Sequence, residues 1–223
     1  MINQSVESGK IYIYGDIGDW YESETSAAAV KKSLEAIEEN RPVDVHINSY
    51  GGEVKEALAI YNMLHQRGDV TVHVDGMACS AASMIAMAGN RVVMAKNALM
   101  MVHHVWTCAA GNPTELRKAA DDLEIIDTAA ALAYLEKAGD KLSSEQLQKM
   151  LDNETWLNAD QCIAYGLADE LVDETASGQV EELKQKALKN AAAKINPAGR
   201  APEGEAKNNA ERLMKAFKKK LEE

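Results

Sequence analysis

Absent from this 223-residue chain is any apolar run long enough to span a membrane, and its N-terminus lacks the basic-then-apolar order of a secretory signal. Cysteine is scarce: Cys79, Cys108 and Cys162 have no metal-ligand spacing, and an odd count offers no disulfide framework. We therefore expect no metal, no other cofactor, and a reducing cytoplasm. No P-loop is present, so any dependence on ATP would belong to a partner. No internal repeat is evident. Basic residues are also short, 24 Lys and Arg against 35 Asp and Glu, for a formal charge of −11. That deficit lies in residues 1–178, which hold 13 basic and 28 acidic residues, whereas residues 179–223 hold 11 and 7. An acidic body argues against nucleic acid as the main partner.

What is present is an alternation of strand and helix signals. Strands are expected near Lys10–Tyr14, Val43–Ser49, Val70–Val74, Arg91–Ala95 and Ala98–Val102. Helices are expected from Glu24 to about Glu39, Glu53 to Arg67 and Ser80 to Ala88. This order predicts an α/β fold of βαβ units around a mostly parallel sheet. Pro113 opens a longer amphipathic helix to about Lys137, with Leu116, Leu123, Ile126, Ala130 and Leu135 near helical spacing. Ser143 with Gln146, and Asn158 with Gln161, have capping-box spacing, and Gly166 stands where a helix would end.

The densest signal runs from Gly76 to Gly89. The β-branched stretch Val70–Val74 is expected to turn at Asp75-Gly76 and enter a buried helix of small residues. A serine at such a junction has its hydroxyl near free backbone N–H groups that favour developing negative charge. Ser80 and Ser83 both lie there. Gly51-Gly52 ends another strand, leaving backbone N–H groups open to a ligand. His103 and His104 follow an apolar strand, and alternation allows only one of them to face the serine. Asp152 and Glu154 supply carboxylates after a helix. Serine, base, carboxylate and backbone donors together are what acyl transfer to serine requires. Cys79 reads as a buried structural thiol, and His46 and His73 as histidines satisfied within the sheet.

Four segments make the chain resemble the proteolytic subunit of the Clp proteases, and within that family the Clp-like proteases of phages and prophages. They are Ile47-Asn48-Ser49-Tyr50-Gly51-Gly52, the block Gly76 to Gly89, Met101-Val102-His103, and Trp156-Leu157-Asn158-Ala159 leading into Ala164-Tyr165-Gly166-Leu167-Ala168-Asp169. The resemblance covers roughly residues 9–173. It implies the fold shared by Clp proteolytic subunits and crotonase-like enzymes, with residues 113–137 as a protruding handle helix through which rings stack. It also implies a serine endopeptidase acting inside a homo-oligomeric ring on protein and peptide substrates.

Residue by residue, the resemblance puts Ser80 at the nucleophile and His103 at the base. It puts Glu154 at the acid, with Asp152 taking that role if the local turn differs. The backbone N–H groups of Gly52 and Ala81 match the oxyanion hole. Val105 stands where the family has proline, a departure that bears on the following loop. A crotonase-like enzyme would need no Ser-His pair, and a Ser-Lys dyad would have only Lys96 nearby. Phage relatives are similar to prohead proteases that cleave capsid or scaffold proteins, in the host cytoplasm. Prohead maturation is the role expected first here. A housekeeping subunit paired with a ring ATPase, or a non-catalytic capsid-assembly protein, stand as alternatives.

The domain expectation is a protease domain over residues 1–174 and a basic extension over 175–223. That extension has a Pro/Gly/Ala hinge around Pro197 and Pro202 and a terminal amphipathic helix from Asn208 to Leu221. It is expected to dock a partner or substrate and to be dispensable for the triad.

Overall fold

Alternation writes the sheet. In β2 (Val43–Ser49) the residues Val43, Val45 and Ile47 are buried on one face, while Asp44, His46 and Asn48 line the other. The computed structural model describes residues 9–19 and 25–172. The extension 175–223, its terminal helix and the expected helix start at Glu24 lie outside the described residues. Within them, seven strands form one sheet: β1 (Lys10–Tyr14), β2, β3 (Val70–Cys79), β4 (Arg91–Met94), β5 (Leu99–Val102), β6 (Thr155–Asn158) and β7 (Glu170–Leu171). Their main order is β1-β2-β3-β4-β7, parallel throughout. β5 pairs with the far half of β3, and β6 closes against β5 antiparallel.

The helices are α1 (Ala27–Glu35), α2 (Val54–Arg67), α3 (Ala81–Ala86), α4 (Pro113–Ala138), α5 (Ser144–Asp152) and α6 (Ala159–Ala164). Both predicted capping boxes form: Ser143 with Gln146 opens α5, and Asn158 with Gln161 opens α6. A third, Asn112 with Glu115, opens α4 ahead of Pro113 at its first position. Gly166, at φ 73°, takes the left-handed position after α6. α/β architecture, parallel sheet and long helix are therefore as expected.

One local expectation is overturned. Asp75-Gly76 is not a turn; β3 continues through it to Cys79. The first half of β3 pairs with β4 and the second with β5, from Met77↔Leu99 to Cys79↔Met101. Gly76 is small for a different reason than a turn. A Cβ there would fall 2.6 Å from Asn48 Oδ1, which accepts the Met77 N–H at 3.2 Å. This change of neighbour carries the end of β3 alongside the strand that precedes His103.

The face of the sheet away from the core holds the two sheet histidines. Tyr12, His46 and His73 stack in a column, with the imidazole centroids 4.7 Å apart. His46 Nδ1 meets Asp75 Oδ2 at 2.8 Å and His73 Nε2 meets Asp44 Oδ1 at 2.9 Å, so both are satisfied within the sheet.

Candidate active site

Ser80 is the first residue after β3 and caps the six-residue α3. Its backbone sits at φ 54°, ψ −126°, a region that non-glycine residues rarely occupy. Such a conformation costs on the order of 1–3 kcal/mol and persists only where its surroundings hold it. The holders are identifiable. The Ser80 N–H donates to Met101 O at 2.9 Å, extending the β3–β5 ladder by one residue. The Ser80 carbonyl accepts from Ser83 N at 2.9 Å and from Ser83 Oγ at 2.7 Å.

Because the ladder fixes Ser80 against Met101, the residue two beyond Met101 is delivered to the same place. His103 Nε2 lies 2.7 Å from Ser80 Oγ, the contact a nucleophile and its base require. Facing them is the Gly51-Gly52 turn. Gly51 (φ 107°) approaches so closely that a Cβ would meet Ser80 Cβ at 2.7 Å and Ala81 N at 3.1 Å. Gly52 (φ 151°) leaves no room either, since a Cβ would fall on the carbonyl of Ile17. Among the described residues, neither the Gly52 N–H nor the Ala81 N–H donates to another group. Both line a cleft of about 1240 Å³ together with Ser80, His103, Glu154 and Trp106.

The two histidines, just beyond the end of β5, face apart as expected. His104 turns away from Ser80 and bridges two helices, with Nδ1 2.6 Å from Asp127 Oδ2 of α4 and Nε2 2.9 Å from Asp152 Oδ1 of α5. Asp152 is thereby engaged by His104, not by His103. Glu154, at φ 45°, lines the cleft, but no hydrogen bond joins it to His103. The structure thus hydrogen-bonds Ser80 to His103 with Gly52 and Ala81 in the same cleft, and joins neither Asp152 nor Glu154 to His103. Cys79 is fully buried, and burial pushes its thiol up, away from thiolate chemistry.

Three features of the site were not legible beforehand. Val105, where a proline would have no donor, gives its N–H to Asp127 Oδ1 at 2.9 Å and ties the loop to α4. Asp127 itself lies on the inward face of α4, in register with Leu123, Ala130 and Tyr134; a carboxylate within the apolar stripe was the available signal. Ser83 is fully buried and hydrogen-bonded at 2.7 Å to Tyr134 OH of α4. A hydroxyl in an otherwise apolar block was the available clue.

The His104 clamp has a pH signature. Partial burial on its own would lower the His104 pKa, but the hydrogen bonds to Asp152 and Asp127 and their charges outweigh it and raise it above 6.5. The His104 hydrogen bond chiefly lowers the pKa of Asp152. A raised histidine contributes stability that is complete below its unfolded value and lost as pH rises through its folded value. A depressed aspartate contributes above its unfolded value and loses that as pH falls through the folded one. The clamp is therefore strongest at mildly acidic pH and weakens toward alkaline pH. His104→Gln should flatten the decline in Tm across that rise, measured by thermal unfolding at a series of pH values. An unchanged slope would contradict the assignment.

The family model described as Clp protease matches residues 1–175. The chain is also similar to the ATP-dependent Clp protease proteolytic subunit of Ligilactobacillus salivarius (strain UCC118). The two are 30% identical over 162 residues, covering 71% of this chain and 80% of that protein.

Proposed function

The chain belongs to the Clp protease family and is a serine protease, and from that premise we propose that Ser80 and His103 perform its chemistry. The observation that carries this reading is the 2.7 Å contact between Ser80 Oγ and His103 Nε2 at a strained strand-to-helix junction. Ser80 Oγ attacks the scissile carbonyl carbon while His103 Nε2 takes its proton. The oxyanion that forms is met by the Gly52 and Ala81 N–H groups, neither of which has another acceptor among the described residues. His103 then returns the proton to the leaving amine, and water, activated by the same imidazole, releases the acyl group. Glu154 is the carboxylate proposed to orient His103. It lines the same cleft, while Asp152 is held by His104. Catalytic hydrogen bonds are often open in the free enzyme and tighten with substrate. No resident cofactor enters this scheme.

Proteolytic subunits of this kind are proposed to work here as a ring that encloses its sites and receives protein substrates from a ring ATPase. The L. salivarius relative carries the description ATP-dependent, which favours that pairing over prohead maturation or a non-catalytic capsid role. No capsid partner is supported by the relatives matched. Among the described residues, no helix is long and apolar enough to cross a membrane. α4 is the proposed ring-to-ring contact. Its C-terminal half buries Ala130, Ala133, Tyr134 and Ala138, whereas Leu116, Ile125 and Leu132 stand exposed. Ile125 is 71% and Leu132 60% exposed, a costly display of apolar surface on an isolated chain.

Light scattering with peptide hydrolysis tests this reading. We expect a mass many times the 24.3 kDa of one chain, hydrolysis of short peptides without ATP, and degradation of folded proteins only with a ring ATPase and ATP. A monomer across micromolar concentrations, or no hydrolysis from an assembled ring, would overturn it. Cleavage of a capsid or scaffold protein without any ATPase would move the role to maturation.

A further inference from the structure

We propose that Ser83 and Tyr134 are positioning residues that aim the Ala81 N–H into the cleft by holding the opposite end of the Ser80–Ala81 peptide. The inference rests on the reading of Ser80 as nucleophile and Ala81 as an oxyanion donor, and adds two residues that neither reading includes.

Proton accounting fixes the direction of the chain of hydrogen bonds. The Ser80 carbonyl can only accept, so Ser83, with a single hydroxyl proton, donates to it at 2.7 Å. Ser83 must then accept from Tyr134, whose OH lies 2.7 Å from Ser83 Oγ. Ser83 and Tyr134 are both buried, at 0% and 4% exposure, so water does not compete for these bonds. Burial also pushes the Tyr134 hydroxyl up to about 12, which keeps its proton in place through the working pH range.

Geometry connects this buried pair to the cleft. A trans peptide is planar, with its C=O and N–H pointing in opposite directions. Fixing the Ser80 carbonyl toward Ser83 therefore fixes the Ala81 N–H away from Ser83, on the side that lines the cleft with Gly52. The peptide needs holding because Ser80 occupies a disfavoured backbone region and α3 is only six residues long. A hydrogen bond accepted by the carbonyl also polarises the same amide and strengthens its N–H as a donor. Tyr134 belongs to α4, so the turn is anchored in the long helix as well as in the sheet.

The test uses Tyr134→Phe, Ser83→Ala and the double variant in the full-length protein, assayed for kcat, KM and affinity for a peptide boronic acid. The boronate forms a tetrahedral adduct on serine with an oxygen in the oxyanion position. Outright loss of an oxyanion donor costs about 10²–10³ in kcat. Misaiming one is expected to cost about tenfold, with KM little changed and boronate affinity weakened in parallel. The double variant leaves no orphaned hydroxyl, so it should fold and assemble yet stay as slow as the singles. Ser83→Thr, which keeps the hydroxyl, should be the fastest of the Ser83 variants. Normal kcat and normal boronate affinity in an assembled double variant would overturn the proposal. If Ser80→Ala also stayed active, the reading of the site itself would have failed, so the two failures are distinguishable.

Discussion

Ser80→Ala is expected to reduce peptide hydrolysis to background, a loss on the order of 10⁶-fold in kcat as for other serine nucleophiles that act as part of a unit. Structure should survive the change. The backbone at position 80 is held by Met101 O and by the Ser83 side chain and N–H, none of which involves the Ser80 hydroxyl. Alanine would occupy the same strained φ of 54°, so Tm and assembly should shift little while turnover disappears. Steady-state hydrolysis of a fluorogenic peptide, with light scattering on the same sample, separates the two. If Ser83→Ala abolished turnover while Ser80→Ala spared it, the nucleophile would have been assigned one helical turn too early.

His103→Ala should lower kcat by several orders of magnitude, whereas His104→Gln should leave it within a few-fold of the parent. Loss of one member of a coupled serine-histidine unit costs nearly as much as loss of the whole, with the residual rate coming from the oxyanion donors and substrate binding. His103 is the imidazole within 2.7 Å of Ser80 Oγ. His104 is occupied on both nitrogens by Asp127 and Asp152, and so has no free position from which to act as a base toward Ser80. The contrast between adjacent histidines in kcat decides the assignment. Equal losses, or a greater loss for His104→Gln, would contradict it.

Much of this site was legible because strand periodicity carries direction as well as identity. The alternation of the strand Leu99–Val102 foretold that His103 and His104, just beyond its end, would face apart, and they do. The glycines 51 and 52 signalled a backbone approach that the structure realises as near-contact with Ser80 and Ile17. The strand ends were harder to read. Asp75-Gly76 has the composition of a turn, yet the side chain of Asn48, from a neighbouring strand, supplies the partner that keeps β3 extended. β7, with two residues, is too short for any periodicity to mark. The pairings of His104 with Asp127 and of Ser83 with Tyr134 span 23 and 51 residues. They arise from where α4 folds back over the nucleophile turn, and a local pattern carries no trace of them.

Covalent labelling reads directly whether Ser80 is the nucleophile. A fluorophosphonate probe reacts with an activated serine and leaves a stable phosphonyl adduct that mass spectrometry of the digested protein can map. One adduct per chain is expected, on Ser80, lost in His103→Ala and retained in His104→Gln. An adduct on Ser83 or Cys79, or no adduct from an assembled and folded protein, would contradict it.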